Sequence, residues 1–404
     1  MDGAAPFPFW QAPADTERGL YEAKMRGDWA AYFDVLATAD LYHAMSRAQA
    51  DAKPGWVHYN AAYWRPGPKS LAFVTDGMLP APVPDPVFFE VDLGKLAQDW
   101  PRNDEWLAIN PGTPCEAFFP ATAADRLAWR WHADRVPGSR RNELRTLWSG
   151  GPLHGNVAHG LACGALLCVN NASLWNAMGW HGTGYVRERR RLEEWWGITG
   201  RQEWLRALEG LLKGRMSSPV WGFVLGVRST LARDFGGVVE VDHWRRVTSR
   251  VIRQRAAEET TPDGVTRTAR LSDSETEAQV AGAQRLIGRI IRYEARFRAD
   301  GLLAEGRFVP TVEAWDYGRA SKMARWGLGA RYCDLAEAEQ AVLRAGGVSR
   351  INYRSWEEFS AAYILGRCLH FDEEEFGDWY GEMLHAHGIL TTDPNSPWLS
   401  IPFK

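Results

Sequence analysis

The sequence predicts an α+β protein in which a small mixed α/β module precedes a larger, mainly α-helical domain. Residues up to about 122 alternate between helical periods and short apolar runs of strand length, whereas nearly every segment after residue 141 has a helical period. At 404 residues the chain is too long for one ordinary core. Its 45% hydrophobic and 24% charged residues are typical of a globular protein.

The α/β module, residues 1–122, contains helical and strand signals in turn. Asp15 to Ala50 is predicted to be helical, with Asp28 as a cap, and Trp56 to Tyr63 alternates weakly. Further elements are predicted in chain order: a strand at Ser70 to Thr75, a helix at Leu93 to Trp100 and a strand at Trp106 to Asn110. The turn N-P-G-T-P follows, where Gly112 is free to take a positive φ.

The polar, arginine-rich stretch from Ala121 to Arg141, broken by Pro137-Gly138, predicts a boundary before a helical domain at residues 141–404. Glu258 to Leu271 has too few apolar residues to pack and is predicted to be a flexible loop. The predicted helices run over Leu153 to Asn170, Thr183 to Trp196, Gln202 to Lys213, Val220 to Phe235, Val241 to Ala257, Ser274 to Arg298, Val312 to Tyr332, Leu335 to Ala345 and Trp356 to Phe371.

Net charge and composition limit the kinds of partner and the cellular compartment that we expect for this protein. A net charge of -3 creates no field that attracts a polyanion or an anionic membrane, which argues against nucleic acid and membrane as partners. The longest apolar run, Gly160 to Val169, is too short for a membrane span, and the first residues have no basic leader pattern. Five scattered cysteines without a C-x-x-C motif fit a reducing compartment. We therefore expect a cytoplasmic protein.

Two series of motifs resemble known families. The segment from about Arg141 to Pro402 resembles the bacterial domain-of-unknown-function family numbered 1266, through N-A-M-G-W, Y-V-R-E-R-R-R-L-E-E-W-W-G-I, A-W-D-Y-G-R, S-W-E-E-F-S-A-A-Y-I-L-G-R and a closing P-W. Residues 1–122 resemble the N-terminal domain of the SseB (enhanced serine sensitivity) proteins, through L-A-F-V-T-D and W-L-A-I-N-P-G-T-P. The first resemblance implies a helical fold, and neither implies catalytic residues.

The motifs A-W-D-Y-G-R and S-W-E-E-F-S-A-A-Y-I-L-G-R each place a tryptophan ahead of a glycine-arginine pair on helical sequence. Asp316 and Arg319 share a helix face. We predict an ionic network of Asp316, Arg319 and Arg367 between two packed helices. Gly318 and Gly366 lower helix propensity, which indicates that a backbone or an aromatic ring approaches closely there. The candidate binding residues are Trp315, Asp316, Arg319, Trp356, Tyr363 and Arg367.

This network has two interpretations. Buried charges are costly unless they are paired, so a network that only specifies the fold is one of them. The other is an anion or carboxylate pocket in which two arginine forks bind the ligand.

The stretch L-H-G-N-V-A-H-G-L-A-C-G-A-L-L-C contains His154, His159, Cys163 and Cys168. His159 and Cys163 share a helix face, but zinc ligands usually come in tighter pairs, and a thiol nucleophile needs an activating base. A tightly packed core helix explains the same residues. We predict no metal ion and no cofactor.

The basic run Arg187, Arg189, Arg190 and Arg191 stands ahead of Glu193, Glu194, Trp195 and Trp196. Arginines beside aromatic rings can bind nucleic acid. Acids within helical reach, Glu188 among them, favour a solvated face with ion pairs instead.

The stretch H-F-D-E-E-E comprises His370, Asp372 and Glu373 to Glu375. A divalent-metal site is one interpretation. The other is that Asp372 caps a new helix, whose N-terminal dipole the glutamates complement.

For function, the sequence favours a non-catalytic interaction protein whose aromatic grooves and arginine pairs bind another protein or a peptide. An accessory or immunity-type role in toxin and secretion systems is an analogy with the family alone. The alternative is an enzyme or binder that acts on an anionic small molecule at the Asp316, Arg319 and Arg367 cluster.

Overall fold

The computed structural model describes residues 10–53, 56–79, 86–101, 104–136, 143–148, 151–178, 184–237, 239–257 and 272–404. The predicted loop at Glu258 to Leu271 and the Pro137-Gly138 break lie outside these residues. The observed fold class is α+β, as predicted, with the strands in the N-terminal part and helices through the rest.

The N-terminal part contains five helices and six strands among its described residues. The helices are α1 (Asp15–Arg26), α2 (Trp29–Thr38), α3 (Arg47–Ala52), α4 (Leu93–Asp99) and α5 (Ala123–Ala133), with a 3₁₀-helix at Asp76–Met78. The strands are β1 (Leu41–Ser46), β2 (Ala61–Ala62), β3 (Ser70–Phe73), β4 (Pro86–Val91), β5 (Trp106–Ile109) and β6 (Ala117–Phe119).

Helices form all the regular structure that follows in the described residues. They are α6 (Gly155–Ala162), α7 (Ala165–Asn170), α8 (Gly184–Trp196), α9 (Arg201–Leu212), α10 (Pro219–Asp234), α11 (Val241–Ala257), α12 (Asp273–Ala299), α13 (Glu313–Gly329), α14 (Leu335–Asn352), α15 (Trp356–Phe371), α16 (Asp378–Thr392) and α17 (Pro397–Ser400).

The main sheet has the strand order β2-β3-β5-β6. Its central strands β3 and β5 are parallel, with Phe73 opposite Ile109, and both outer strands are antiparallel to their neighbours. The apolar side chains of one sheet face, Leu71, Phe73, Leu107 and Ile109, are buried against helices α1, α2, α4 and α5. Strands β1 and β4 form a separate antiparallel pair.

Most local predictions in the N-terminal part are confirmed. Strands β3 and β5 and helix α4 lie where the pattern predicted them. The Asp28 carboxylate accepts a hydrogen bond from the Ala31 backbone N–H at 3.0 Å, and Gly112 has a φ of 83°. The helical prediction over Asp15 to Ala50 is wrong at residues 41–46, because β1 pairs with β4 along its whole length. Pairing with a distant strand overrides local propensity there.

The helical part differs from the prediction at three places. The predicted helix over Leu153 to Asn170 is two helices, α6 and α7, which separate at Cys163 and Gly164. Helix α14 continues past Ala345 to Asn352 through Gly346, where a Cβ atom would lie 3.1 Å from the Gly160 Cα atom, so glycine there permits close helix packing. Helices α16 and α17 lie beyond the last of the predicted helix ranges.

The chain divides into two units, each assembled from separate segments. Unit 1 contains Met1–Ala158, Asn171–Leu205 and Met323–Ala341, and unit 2 contains His159–Asn170, Arg206–Lys322 and Val342–Lys404. The division into domains at residues 1–122 and 141–404 stays a prediction. None of the helices in the described ranges combines the length and apolar character that a membrane span needs.

Candidate functional site

The Asp316 carboxylate lies in the first turn of α13, fully buried within unit 2. It accepts hydrogen bonds from the Met216 and Ser217 backbone N–H groups at 3.1 and 3.0 Å and from the Ser217 hydroxyl at 3.1 Å. The fourth donor is the Arg319 guanidinium, one helical turn away as predicted. These bonds attach the segment between α9 and α10 to α13.

The Arg319 guanidinium contacts its own helix and an indole ring. Its carbon atom is 3.5 Å from the centre of the Trp315 ring, and its Nε donates to the Trp315 carbonyl oxygen at 3.2 Å. Burial lowers the pKa of Arg319, the Asp316 carboxylate opposes that shift, and the nearby Arg367 charge adds to it. Arg319 and Arg367 therefore lie close enough to repel each other.

Arg367 lies on α15 with 8% of its side chain exposed. Its Nη2 is 3.4 Å from the Glu382 carboxylate on α16, so its carboxylate partner is Glu382. The predicted network, in which Arg367 joins Asp316 and Arg319, is wrong in this respect. The physical reason is that donors from Met216, Ser217 and Arg319 already occupy the Asp316 carboxylate. The arrangement is two ion pairs side by side, one on α13 and one between α15 and α16.

The two glycines of the predicted network allow the close approach that the sequence indicated. A Cβ atom on Gly318 would lie 2.6 Å from the Tyr363 ring and 2.8 Å from the Cys163 carbonyl oxygen. A Cβ atom on Gly366 would lie 2.9 Å from the Cβ atom of Trp315. This prediction is confirmed, and glycine at both positions is required for the packing of α13 and α15.

The three aromatic candidates separate into two places. The fully buried Tyr363 ring lies against Gly318, and the charges of Arg319 and Arg367 both act on its hydroxyl. Trp356 instead stacks on Trp398 at 5.4 Å, and its indole N–H donates to the Ile401 carbonyl oxygen at 2.8 Å. Trp356 thus belongs to an aromatic cluster with the C-terminal segment, a correction to the proposed frame of the site.

Three exposed rings lie beside the two arginines. Phe371 and Trp379 stack at 4.8 Å with an angle of 19° and are 41% and 43% exposed, and Arg367 lies 5.0 Å from the Trp379 ring centre. His370 packs 5.1 Å from Trp315, and burial followed by the Arg319 charge lowers its pKa, so it is largely uncharged near neutral pH. We call Arg319, Arg367, His370, Phe371 and Trp379 the aromatic–arginine face.

Phe371, Trp379 and Glu382 were not among the candidate residues predicted from the sequence. The sequence indicated Phe371 only as the end of a helix, and the bounds of α16 were not predicted because its two glycines and apolar residues on several faces leave a weak helical period. The dipeptide D-W at Asp378 and Trp379, an acidic first turn ahead of an apolar run, was the signal that could have found it.

Of the four candidates around α6, His159, Cys163 and Cys168 are core residues, whereas His154 is exposed. The His159 Nε2–H donates to the Phe403 carbonyl oxygen at 3.0 Å, and burial with the Arg350 charge lowers the pKa of His159 to about 4. Burial raises the pKa of the Cys163 thiol to about 12, which keeps it protonated and unreactive. No group of three or more His, Cys, Asp or Glu side chains suited to a metal ion occurs among the described residues.

Two arginines of the basic run on α8 have partners among the described residues. Arg189 donates to the Ala330 carbonyl oxygen at 2.8 Å and lies 4.6 Å from the Tyr185 ring centre. Arg191 pairs with Glu188 on the same helix. The Arg191 and Glu188 pair agrees with the interpretation as a face with ion pairs, whereas Arg189 binds a backbone carbonyl oxygen and an aromatic ring.

The prediction that Asp372 caps a new helix is wrong. Asp372 follows the last turn of α15, and the next helix begins at Asp378. Its carboxylate accepts from the Tyr293 hydroxyl at 2.7 Å and from the Phe376 backbone N–H at 3.1 Å. Glu374 pairs with Arg289 and Arg292 on α12, so tertiary contacts, and not a helix dipole, hold this turn.

The fold and these contacts define an α+β protein whose helical part contains buried ion pairs between arginines and carboxylates. The chain belongs to the family described as "Protein of unknown function (DUF1266)", whose model matches residues 191–403, more than half of the chain. This confirms the resemblance over residues 191–403, whereas the predicted stretch from Arg141 to residue 190 lies outside the match. Neither the curated proteins nor the solved structures contain a significant match to this chain.

Proposed function

We propose that the protein is a non-catalytic interaction protein and that the aromatic–arginine face of unit 2 is its docking surface for another protein. The observation that carries the proposal is the stacked Phe371 and Trp379 pair, exposed beside the guanidinium of Arg367. Tryptophan and arginine are the residues that most often dominate the energy of protein interfaces.

The surface is also preorganised. Glu382 and the Trp379 ring hold the Arg367 guanidinium, and Asp316 and the Trp315 ring hold that of Arg319. Binding a partner therefore freezes few additional rotamers, which lowers the entropic cost of association. A partner that covers Phe371 and Trp379 gains apolar burial and can offer an acceptor to either arginine.

A second candidate is a small anionic ligand at the same arginines. The buried Tyr363 hydroxyl and the Nε of Arg367 have no hydrogen-bond partner among the described residues. A carboxylate that reached both groups would satisfy them. The Asp316 carboxylate itself accepts from four donors, which supports a binder in preference to an enzyme that uses Asp316 as a base.

Differential capture tests the proposal. We expect the tagged protein to retain at least one protein from native cytosol that the Phe371→Ala/Trp379→Ala variant loses, as read by quantitative mass spectrometry. The matched control is Trp195→Ala, which removes a 77% exposed tryptophan of unit 1 and should leave the captured set unchanged.

Equal melting temperatures of the three proteins would exclude unfolding as the cause. The proposal fails if the Phe371→Ala/Trp379→Ala variant captures the same set as the native chain. Loss of binding to small carboxylates in Arg367→Met, without any change in captured proteins, would favour the second candidate.

We also propose a compartment for the protein and a related domain for its N-terminal module. We propose a cytoplasmic protein of bacterial type, which the five free, buried cysteines support because a reducing compartment keeps thiols unpaired. For residues 1–122 we propose a module like the N-terminal domain of SseB, supported by its mixed sheet and the N-P-G-T-P turn after β5. An accessory or immunity-type role stays an analogy.

A further inference from the structure

Helices α11 and α12 of unit 2 leave an open groove of about 730 Å³ between them. Arginines line most of it: Arg245, Arg246, Arg250 and Arg253 from α11, opposite Gln284 of α12. We call it the arginine groove. It is distinct from the aromatic–arginine face, whose residues lie on α13, α15 and α16.

Most of the positive charge in this groove is not neutralised. Arg253 has a carboxylate partner, because it binds Glu277 through two hydrogen bonds of 2.7 and 3.0 Å. Arg245 donates to the neutral amide oxygen of Gln284 at 3.0 Å. Arg246 and Arg250 are exposed and have no acidic partner in the described part of the chain. The groove thus keeps a local positive charge on a mildly acidic protein.

The charged groups are set on a rigid base. The Gln284 amide donates to the Arg245 carbonyl oxygen at 3.0 Å and to the Ser249 hydroxyl at 2.8 Å, which fixes α11 against α12. Arg246 and Arg250 are four residues apart on α11, so their Cβ atoms lie on the same helix face, about 6 Å from each other. That separation matches the carboxylates one helical turn apart on an acidic helix.

We infer that the arginine groove binds an acidic peptide segment of a partner protein, with glutamate or aspartate carboxylates paired to Arg246 and Arg250. The planar guanidinium suits bidentate binding of carboxylates, as the Arg253 and Glu277 pair in the same groove illustrates. A nucleic acid fits less well, because no aromatic ring that could stack on a base is among the described residues that line the groove.

Fluorescence anisotropy with three labelled probes tests the inference: a ten-residue oligoglutamate, a ten-residue oligoglutamine and a ten-nucleotide oligothymidylate. We expect the full chain to bind oligoglutamate, to ignore oligoglutamine, and to bind oligothymidylate more weakly than oligoglutamate. The Arg246→Glu/Arg250→Glu variant should bind oligoglutamate at least about tenfold more weakly, because like charges then face each other.

The matched control is Arg187→Glu/Arg190→Glu, which makes the same change in charge on exposed α8 of unit 1 and should leave the affinity unaltered. Arg246→Gln/Arg250→Gln, which only neutralises the pair, keeps the test valid if charge reversal disturbs folding. Oligoglutamate affinity that survives both groove variants overturns the inference, and so does oligothymidylate binding that equals or exceeds it. Phe371→Ala/Trp379→Ala should not affect the probe, so failure here is separable from failure of the proposed docking surface.

Discussion

Arg228→Met is expected to destabilise the protein by about 3–5 kcal/mol, the usual cost of leaving a buried charge without its partner. Arg228 on α10 and Glu294 on α12 form a bidentate pair at 2.8 and 2.7 Å, with side chains only 6% and 4% exposed. Arg228 also donates to the Val309 carbonyl oxygen, and Glu294 accepts from the Val309 N–H, so the pair holds the segment before α13 as well.

Thermal and urea unfolding measure this effect. A loss of this size corresponds to a fall in Tm of roughly 10 °C for a folding unit of about 150–250 residues. Glu277→Gln is the matched control, since it breaks a bidentate pair with Arg253 that is more than half exposed, and we expect little change in Tm from it.

The double variant Arg228→Met/Glu294→Leu should recover much of the loss, because two apolar side chains can fill the site between Trp244 and Phe308 without an unpaired charge. A single variant that melts with the native chain would contradict the structural role given to this pair.

Asp316→Ala is expected to have an effect of similar size, about 3–5 kcal/mol. The substitution removes the acceptor of the Met216 and Ser217 backbone N–H groups and leaves the largely buried Arg319 without its carboxylate. Asp316→Asn should recover little, because its amide group would face donors on most sides.

Urea unfolding of Asp316→Ala can be compared with Asp134→Ala, an exposed aspartate that lies 3.8 Å from Arg130. Only Asp316→Ala should lower the midpoint. If the two variants unfold alike, the carboxylate does not hold the segment between α9 and α10 to α13.

The sequence predicted the local features of the site but few of the contacts that distant segments make with it. Helical spacing placed Asp316 and Arg319 together, and glycine in a helical pattern predicted the close contacts at Gly318 and Gly366. These signals depend on neighbours within one helical turn or on the absence of a side chain, so the amino-acid sequence alone shows them.

The remaining features depend on which distant segments meet. Glu382, the partner of Arg367, lies on a helix whose apolar residues face several directions, and nothing near Arg367 in sequence points to it. Strand β1 has a helical pattern but pairs with β4, about forty residues later, and that pairing determines its conformation. The arginine groove likewise needs Gln284 of α12 beside Arg245 of α11 before it exists as a surface.

Hydrogen exchange in the presence of a partner protein captured as described tests the central claim, that the aromatic–arginine face docks another protein. The account predicts slowed exchange in peptides that cover the end of α15 and the start of α16, residues 363–385, and unchanged exchange in Trp195 of α8 and its neighbours. Slowed exchange confined to segments outside residues 363–385, with Phe371 and Trp379 still exchanging as in the free protein, would contradict it.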